Sequence, residues 1–245
     1  MTSVLERPAL NDYEPPKKAV RFVGYELTPS EIADMQEKRQ GYLEKRGLID
    51  QAALDERGRM VDHFQDRSIW IGVKKPGSSE VEAGGRIILT DGETVDSLQM
   101  PLDKIVNPDK EAIAHIRDNP PAQIGEVASL LEFDDPQAAL HLYAALKHAS
   151  TERGVKYWLF GLRARSEKGF NKVLGPALHK IGDSVEIEGA TEDLKPYLIS
   201  IGQGVEAIRE SLKDENLDRF TRMTRQLFID ALDQYESNSG AFVAA

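Results

Sequence analysis

The sequence contains no cysteine, which removes disulfides, thiolate metal sites and cysteine nucleophiles before any motif is read. Its chemistry must come from oxygen and nitrogen groups, and no metal site is expected. No apolar run is long enough to cross a bilayer, and the opening stretch MTSVLERPALNDYEPPKK lacks the basic-then-apolar order of a secretory signal. A cytoplasmic protein without a membrane span is therefore expected. Basic excess is missing too: the formal charge is −10, whereas a general nucleic-acid binder needs a surface that neutralises phosphates. No internal repeat is visible, and 245 residues suffice for one large domain with a sizeable core.

What is present alternates strand and helix signals. Residues 1–18 are polar, carry three prolines and read as a flexible arm. VRFVGY at 20–25 alternates like a first strand, and Thr28-Pro29-Ser30-Glu31 is a capping box with proline at the first helical position, predicting a helix that ends before Gly47. A short helix is expected over 51–57. RSIWIGVK at 67–74 and VEAGGRIIL at 81–89 flank the turn KPGSS and predict an antiparallel hairpin. A short helix follows near 110–117, before Asn119-Pro120-Pro121. QIGEVASLLEF at 123–133 predicts a strand, 136–153 a strongly periodic helix closed by Gly154, and VKYWLFGL at 155–162 a strand buried on both faces. Together these make a β-α-β unit with a right-handed crossover. Helical spacing from Phe170 to Ile181, interrupted by Pro176, predicts a kinked helix, and strands are expected at 185–187 and 197–201. Residues 204–235 are helical by pattern with a break near Asp214. The division expected is an arm over 1–18, an α/β domain over 19–201 and a helical extension over 202–245 packed on the same domain.

Several segments resemble, in order, those of the acyl-homoserine-lactone (autoinducer) synthases and the related long-chain N-acyl amino acid synthases. Asp62-His63-Phe64-Gln65-Asp66 is similar to an acidic-aromatic-acidic segment ahead of the first hairpin strand, and Gly84-Gly85-Arg86-Ile87-Ile88-Leu89-Thr90 to the stretch on the returning strand. Ile124-Gly125-Glu126-Val127 resembles the strand that carries the family's glutamate, and 170–182 the helix ending in a glycine. The resemblance implies a GNAT-type acyltransferase fold: α/β, with a mixed central sheet, flanking helices and an extra C-terminal helical segment. Two positions depart from the pattern. Ser129 stands where the family places an arginine, so homoserine-lactone production is not expected. The loop Glu132-Phe133-Asp134-Asp135-Pro136 replaces the glycine-rich, basic pyrophosphate cradle of the wider GNAT group, which favours a carrier-protein donor over coenzyme A.

The activity implied is direct attack of a small acceptor's amine, an amino acid among the candidates, on an acyl thioester. The acyl-phosphopantetheine thioester, on acyl carrier protein or coenzyme A, is then a co-substrate, and no tightly bound cofactor is expected. Such chemistry needs a base and donors for the oxyanion. Glu126 is the candidate base; otherwise it points to solvent from an alternating strand or pairs with an arginine. Arg86 with Asp62, Asp66 and Ser129 are the substrate-binding candidates, against an outward strand arginine and loop-capping aspartates. His63 reads as polar surface. Arg163, Arg165, Lys168, Lys172 and Lys180 form a basic stretch within an acidic chain: a docking surface for a carrier protein or its phosphopantetheine arm, or a solvated helix face. Trp70, Trp158, Phe160 and Phe170 read as core rather than as an acyl tunnel. Two other classes stay open: a GNAT-like binding or assembly module that has lost catalysis, and a coenzyme-A-dependent small-acyl acetyltransferase.

Overall fold

The structure is a computed structural model that describes residues 22–47, 54–58, 60, 62–132, 135–187, 192–237 and 242–243. The 1–18 arm and residues 51–53 lie outside it. The first strand, β1 (Val23–Glu26), leads into α1 (Pro29–Glu44) through the anticipated capping box. Thr28 Oγ1 accepts the Glu31 N–H, and the Glu31 carboxylate accepts the Thr28 N–H at 2.9 Å. The chain then returns as the hairpin β2 (Ser68–Lys74) and β3 (Ala83–Leu89), its turn closed by Gly77 at φ 79°.

A long connection holding α2 (Lys110–Asp118), capped by the Asp109 side chain, delivers β4 (Ile124–Glu132) antiparallel to β3. The helix α3 (Pro136–Glu152) and β5 (Tyr157–Leu162) complete the crossover, β5 lying parallel to β4. The remaining elements are α4 (Ala164–Leu174), β6 (His179–Lys180), β7 (Lys195–Ser200), α5 (Ile201–Ser211), α6 (Arg219–Ser237) and β8 (Phe242–Val243). They finish a mixed eight-stranded sheet of order β6-β7-β5-β4-β3-β2-β1-β8.

The sheet separates two apolar layers. On one face, the buried residues of α3, α4, α5 and α6 pack against Ile71, Ile87, Val127, Trp158 and Phe160. On the other, α2 and its flanking loops cover Ile88, Ile124, Leu159 and Leu198, while Met35 of α1 packs beside Trp70. The C-terminal helices thus belong to the same core as the sheet. The helix α3 can approach β1 because Gly24 has no side chain; a Cβ there would stand 2.7 Å from Ala145 Cβ and 3.0 Å from the Tyr235 ring. Gly24→Ala is therefore expected to cost about 1–3 kcal/mol of stability in urea unfolding, as overpacking against a rigid helix does. A neutral result would mean that α3 moves off β1 without penalty.

Three local expectations are corrected. Residues 54–58, within the anticipated 51–57 helix, form a turn closed by the Leu54↔Met60 bridge. The helix expected from Phe170 starts earlier, at Ala164, and stops at Leu174. Pro176, which lacks an N–H, falls in a single 3-10 turn, and His179–Lys180 is already an edge strand. Residues 185–187 contribute only the isolated bridge Val185↔Leu194. The terminal strand β8, parallel to β1, was not anticipated.

Candidate active site

The sheet opens between β4 and β5. β4 pairs with β5 only at Ile124↔Tyr157, Gly125↔Trp158 and Glu126↔Leu159, although β4 continues to Glu132 and β5 to Leu162. Glu126 is the last paired residue before the strands part. Its side chain lies on the α1/α2 face, 2 % exposed, where Oε2 accepts the Met100 N–H at 2.8 Å. Burial pushes its pKa up to about 7, against the opposing pull of the Met100 and Gln99 N–H groups and the Arg86 charge. A carboxyl poised near neutrality at the apex of a split sheet is chemically competent as a base.

One strand over, β3 supplies Arg86, also 2 % exposed. Its Nη1 donates to Asp62 Oδ2 at 2.5 Å, its guanidinium carbon lies 5.2 Å from the Trp70 ring centre, and its Nε has no partner among the described residues. Asp62 is itself fixed by the Phe64 N–H at 3.1 Å and by Gln36 Nε2 at 3.3 Å. The sheet register explains the grouping: Trp70 is the cross-strand partner of Arg86, and Arg86 that of Ala128, two residues beyond Glu126 on the same face. Along β4 the register then slips, so that Ser129 and Leu130 together face Gly85. Ser129 takes φ 55°, and its buried Oγ has no partner. This β-bulge takes backbone out of the ladder beside the opening. Leu130 is accommodated because a Cβ on Gly85 would lie 2.7 Å from Leu130 Cδ2.

The structure thus brings together Glu126, Arg86 and Asp62, places Ser129 in the adjoining bulge of β4, and leaves Asp66 apart, exposed on a 3-10 turn with no polar contact among the described residues. The basic stretch is dispersed. Arg163, at the N-cap of α4, bonds Glu192 at 3.0 Å, Lys180 pairs with Asp183, and the Arg165 side chain lies outside the described atoms. Lys168 and Lys172 line an open depression of about 540 Å³ with Glu167, Asp218 and Arg225, and Lys172 Nζ lies 4.2 Å from the Phe220 ring centre. Asp218 and Glu167 make that surface mixed rather than purely basic. Of the aromatics, Trp158, Phe160 and Phe170 pack into the α3/α4 layer. Among the described residues, no cluster of three or more acidic or histidine side chains could hold a metal ion, and no helix is long and apolar enough to cross a membrane.

Two contributors carried no motif. Trp70 is core by burial, at 3 % exposed, yet its Nε1–H has no partner among the described residues. Arg39 of α1 forms no ion pair among the described residues, its one hydrogen bond going to Met60 Sδ at 3.7 Å. Burial and the like charges of Arg86 and Arg163 pull its pKa down to about 10, Asp62 alone opposing. An arginine on an amphipathic helix reads as solvated, and only the tertiary approach of β3 and β5 gives it these neighbours.

No protein-family model matches the chain, and no curated protein matches it in sequence. Solved structures do. A CoA-dependent acyl-homoserine lactone synthase, BjaI, with SAM and isopentyl-CoA, superposes with a TM-score of 0.57 at 14 % identity, covering 91 % of this chain and 93 % of its own. FeeM, an N-acyl amino acid synthase from uncultured soil microbes, gives 0.56 at 15 % identity, with 77 % and 96 % covered. MesI, another CoA-dependent acyl-homoserine lactone synthase, gives 0.51 at 15 %, with 77 % and 94 % covered. The chain has the α/β acyltransferase fold of these synthases.

Proposed function

We propose that the protein is an N-acyltransferase that moves a medium or long acyl chain from an acyl-carrier-protein or coenzyme A thioester to the amine of a small acceptor. The observation that carries this reading is Glu126: a buried carboxyl with a pKa of about 7, placed where β4 and β5 separate. Such an opening admits an extended thioester between the strands. Glu126 takes one proton from the acceptor ammonium; the amine then attacks the thioester carbonyl carbon, forming the C–N bond and an oxyanion. The backbone released by the Ser129 bulge supplies an N–H donor for that oxyanion. Collapse breaks the C–S bond, and the departing thiolate takes the second proton from nitrogen, so amide and thiol leave with Glu126 protonated.

The likeness in fold to BjaI, a CoA-dependent acyl-homoserine lactone synthase, and to FeeM, an N-acyl amino acid synthase, supports this reading. The donor favoured is the carrier protein. Asp135 Oδ1 already accepts the Gln137 N–H at 2.9 Å at the start of α3, so the protein's own carboxylate occupies a helix terminus where a pyrophosphate would otherwise sit. Lys168 and Lys172 are the candidate contacts for the carrier's phosphate. The test presents purified protein with acyl carrier proteins, acyl-coenzyme A thioesters and pooled amines, and reads N-acyl products by mass spectrometry. A product is expected with the carrier-bound donor; none across the panel, from folded protein, would turn the reading to a non-catalytic binding module.

A further inference from the structure

Glu126 is held by a stretch of chain that its own strand does not supply. After β3 the chain folds over the end of the sheet as a closed unit. Asp91 Oδ1 accepts the Glu93 and Thr94 N–H groups at 2.9 and 3.0 Å, and Thr94 Oγ1 caps the 3-10 turn Val95–Ser97. Ser97 Oγ donates to the Thr94 carbonyl at 2.7 Å and accepts the Asp91 N–H at 3.0 Å. Val95, Leu98 and Met100 sink into the apolar layer, none more than 4 % exposed, and the Gln99 and Met100 N–H groups reach the Glu126 carboxylate. Among the described residues, two side chains tie this unit down from outside. Arg117, exposed, reaches Asp96 at 3.4 Å, whereas Arg67, half-buried, donates from Nη2 to the Ser97 carbonyl at 2.7 Å. The sheet register places that second tie at the candidate base: Arg67 directly precedes Ser68, and Ser68, Ile88 and Glu126 stand in one row across β2, β3 and β4.

We infer that Arg67 is a positioning residue for the candidate base: by fixing the Ser97 carbonyl it holds the Gln99 and Met100 N–H groups on Glu126 and so keeps the ionised, proton-accepting form of that carboxylate within reach. Burial favours the protonated carboxyl, and N–H groups that donate to it favour the charged one. If the unit lifts, burial is less opposed and Glu126 keeps its proton to higher pH. The arginine charge that acts on Glu126 is that of Arg86, so Arg67 works through the backbone it holds. A half-buried, charge-assisted bond to a carbonyl resists displacement better than the exposed Arg117–Asp96 pair. The same residue joins the two halves of the site. The Arg67 N–H and Ser68 Oγ–H both donate to the Phe64 carbonyl, at 3.1 and 2.7 Å, and the Phe64 N–H fixes Asp62. This inference deepens the proposed acyl transfer and rests on it for the effect on rate, while the hold on Glu126 is testable without turnover.

Carbon-13 NMR of the intact protein, labelled at the glutamate carboxyls, follows the Glu126 titration, with Glu126→Gln identifying the signal; hydrogen exchange of the Gln99 and Met100 amides reports the hold on the turn. Arg67→Met, which cannot donate to the Ser97 carbonyl, is expected to raise the Glu126 midpoint by about one pH unit and to speed exchange of both amides at least about tenfold. Arg67→Lys, which can donate, is expected to restore both towards wild type. Ser97→Ala loosens the turn from within without touching a half-buried charge, and is expected to move both readings in the same direction by less. An unchanged midpoint in folded Arg67→Met and Ser97→Ala would overturn the inference, and so would a midpoint that moves in Arg67→Met without faster amide exchange, which is the signature of charge acting through space. None of these readings needs a substrate. A midpoint and exchange that move as expected in a protein that makes no N-acyl product would leave the positioning role standing and sink the transferase reading. Product formation with the same acid limb of kcat/KM in wild type and Arg67→Met would sink the positioning role alone.

Discussion

Glu126→Gln is expected to lower acyl transfer by about 10²- to 10⁴-fold, the range that a positioned general base contributes. Glutamine preserves the shape and can still accept the Met100 N–H, so the fold should survive. The pH dependence makes the test sharper. Burial holds the folded-state pKa of Glu126 at about 7, above the 4.5 of an ordinary glutamate, so the native state holds its proton more tightly than the unfolded chain does. Stability from this group is present below about 4.5 and is lost as pH rises to about 7, because the buried carboxyl must then ionise. Glutamine does not titrate. The melting temperature of the variant relative to the wild type should therefore climb between pH 5 and pH 8, while the wild-type kcat/KM rises over the same window as the base form appears. A variant that keeps wild-type turnover would make Glu126 a structural strand carboxyl.

The fold was legible where periodicity and punctuation coincide. The capping box at Thr28, the two-strand hairpin around Gly77 and the β-α-β unit ending in VKYWLFGL each join a composition signal to a boundary signal, and each formed where expected. The errors fell where only one signal was present. Helical spacing on both sides of Pro176 reads as a helix kinked or split there because the apolar residues Ala177, Leu178 and Ile181 keep a helical interval by coincidence; beyond Leu174 the chain is a turn followed by an edge strand. The site divides similarly. Glu126 and Arg86 could be singled out because charged groups inside apolar strands are unusual, whereas the bulge at Ser129 and the separation of β4 from β5 depend on hydrogen bonds that are not made, which no residue pattern announces. Trp70 illustrates the limit: burial was read correctly, but whether its N–H finds a partner is decided by what packs above it.

The same dependence on context sets the second large effect. Asp62→Ala is expected to destabilise the protein by about 3 kcal/mol or more, because it strips the carboxylate that, alone among the described residues, is bonded to an arginine that is 2 % exposed. The Asp62 side chain is only 18 % exposed, so water reaches the pair poorly and cannot replace the missing charge cheaply. Asp62 also raises the proton affinity of Arg39, so its removal leaves two guanidiniums less compensated at once. The partner deletion should behave differently. Arg86→Met removes the charge that needs compensation and substitutes a flexible apolar chain beside Trp70, leaving an aspartate that keeps the Phe64 N–H and Gln36 Nε2 as donors. Its expected cost is smaller, and the double variant Asp62→Ala/Arg86→Met should be more stable than Asp62→Ala alone, a non-additivity that urea unfolding of the four proteins in the cycle measures directly. If Asp62→Ala costs less than about 1 kcal/mol, the pair behaves as a solvated surface ion pair. Asp62 would then not fix the Arg86 guanidinium, which could leave it without a large loss of stability.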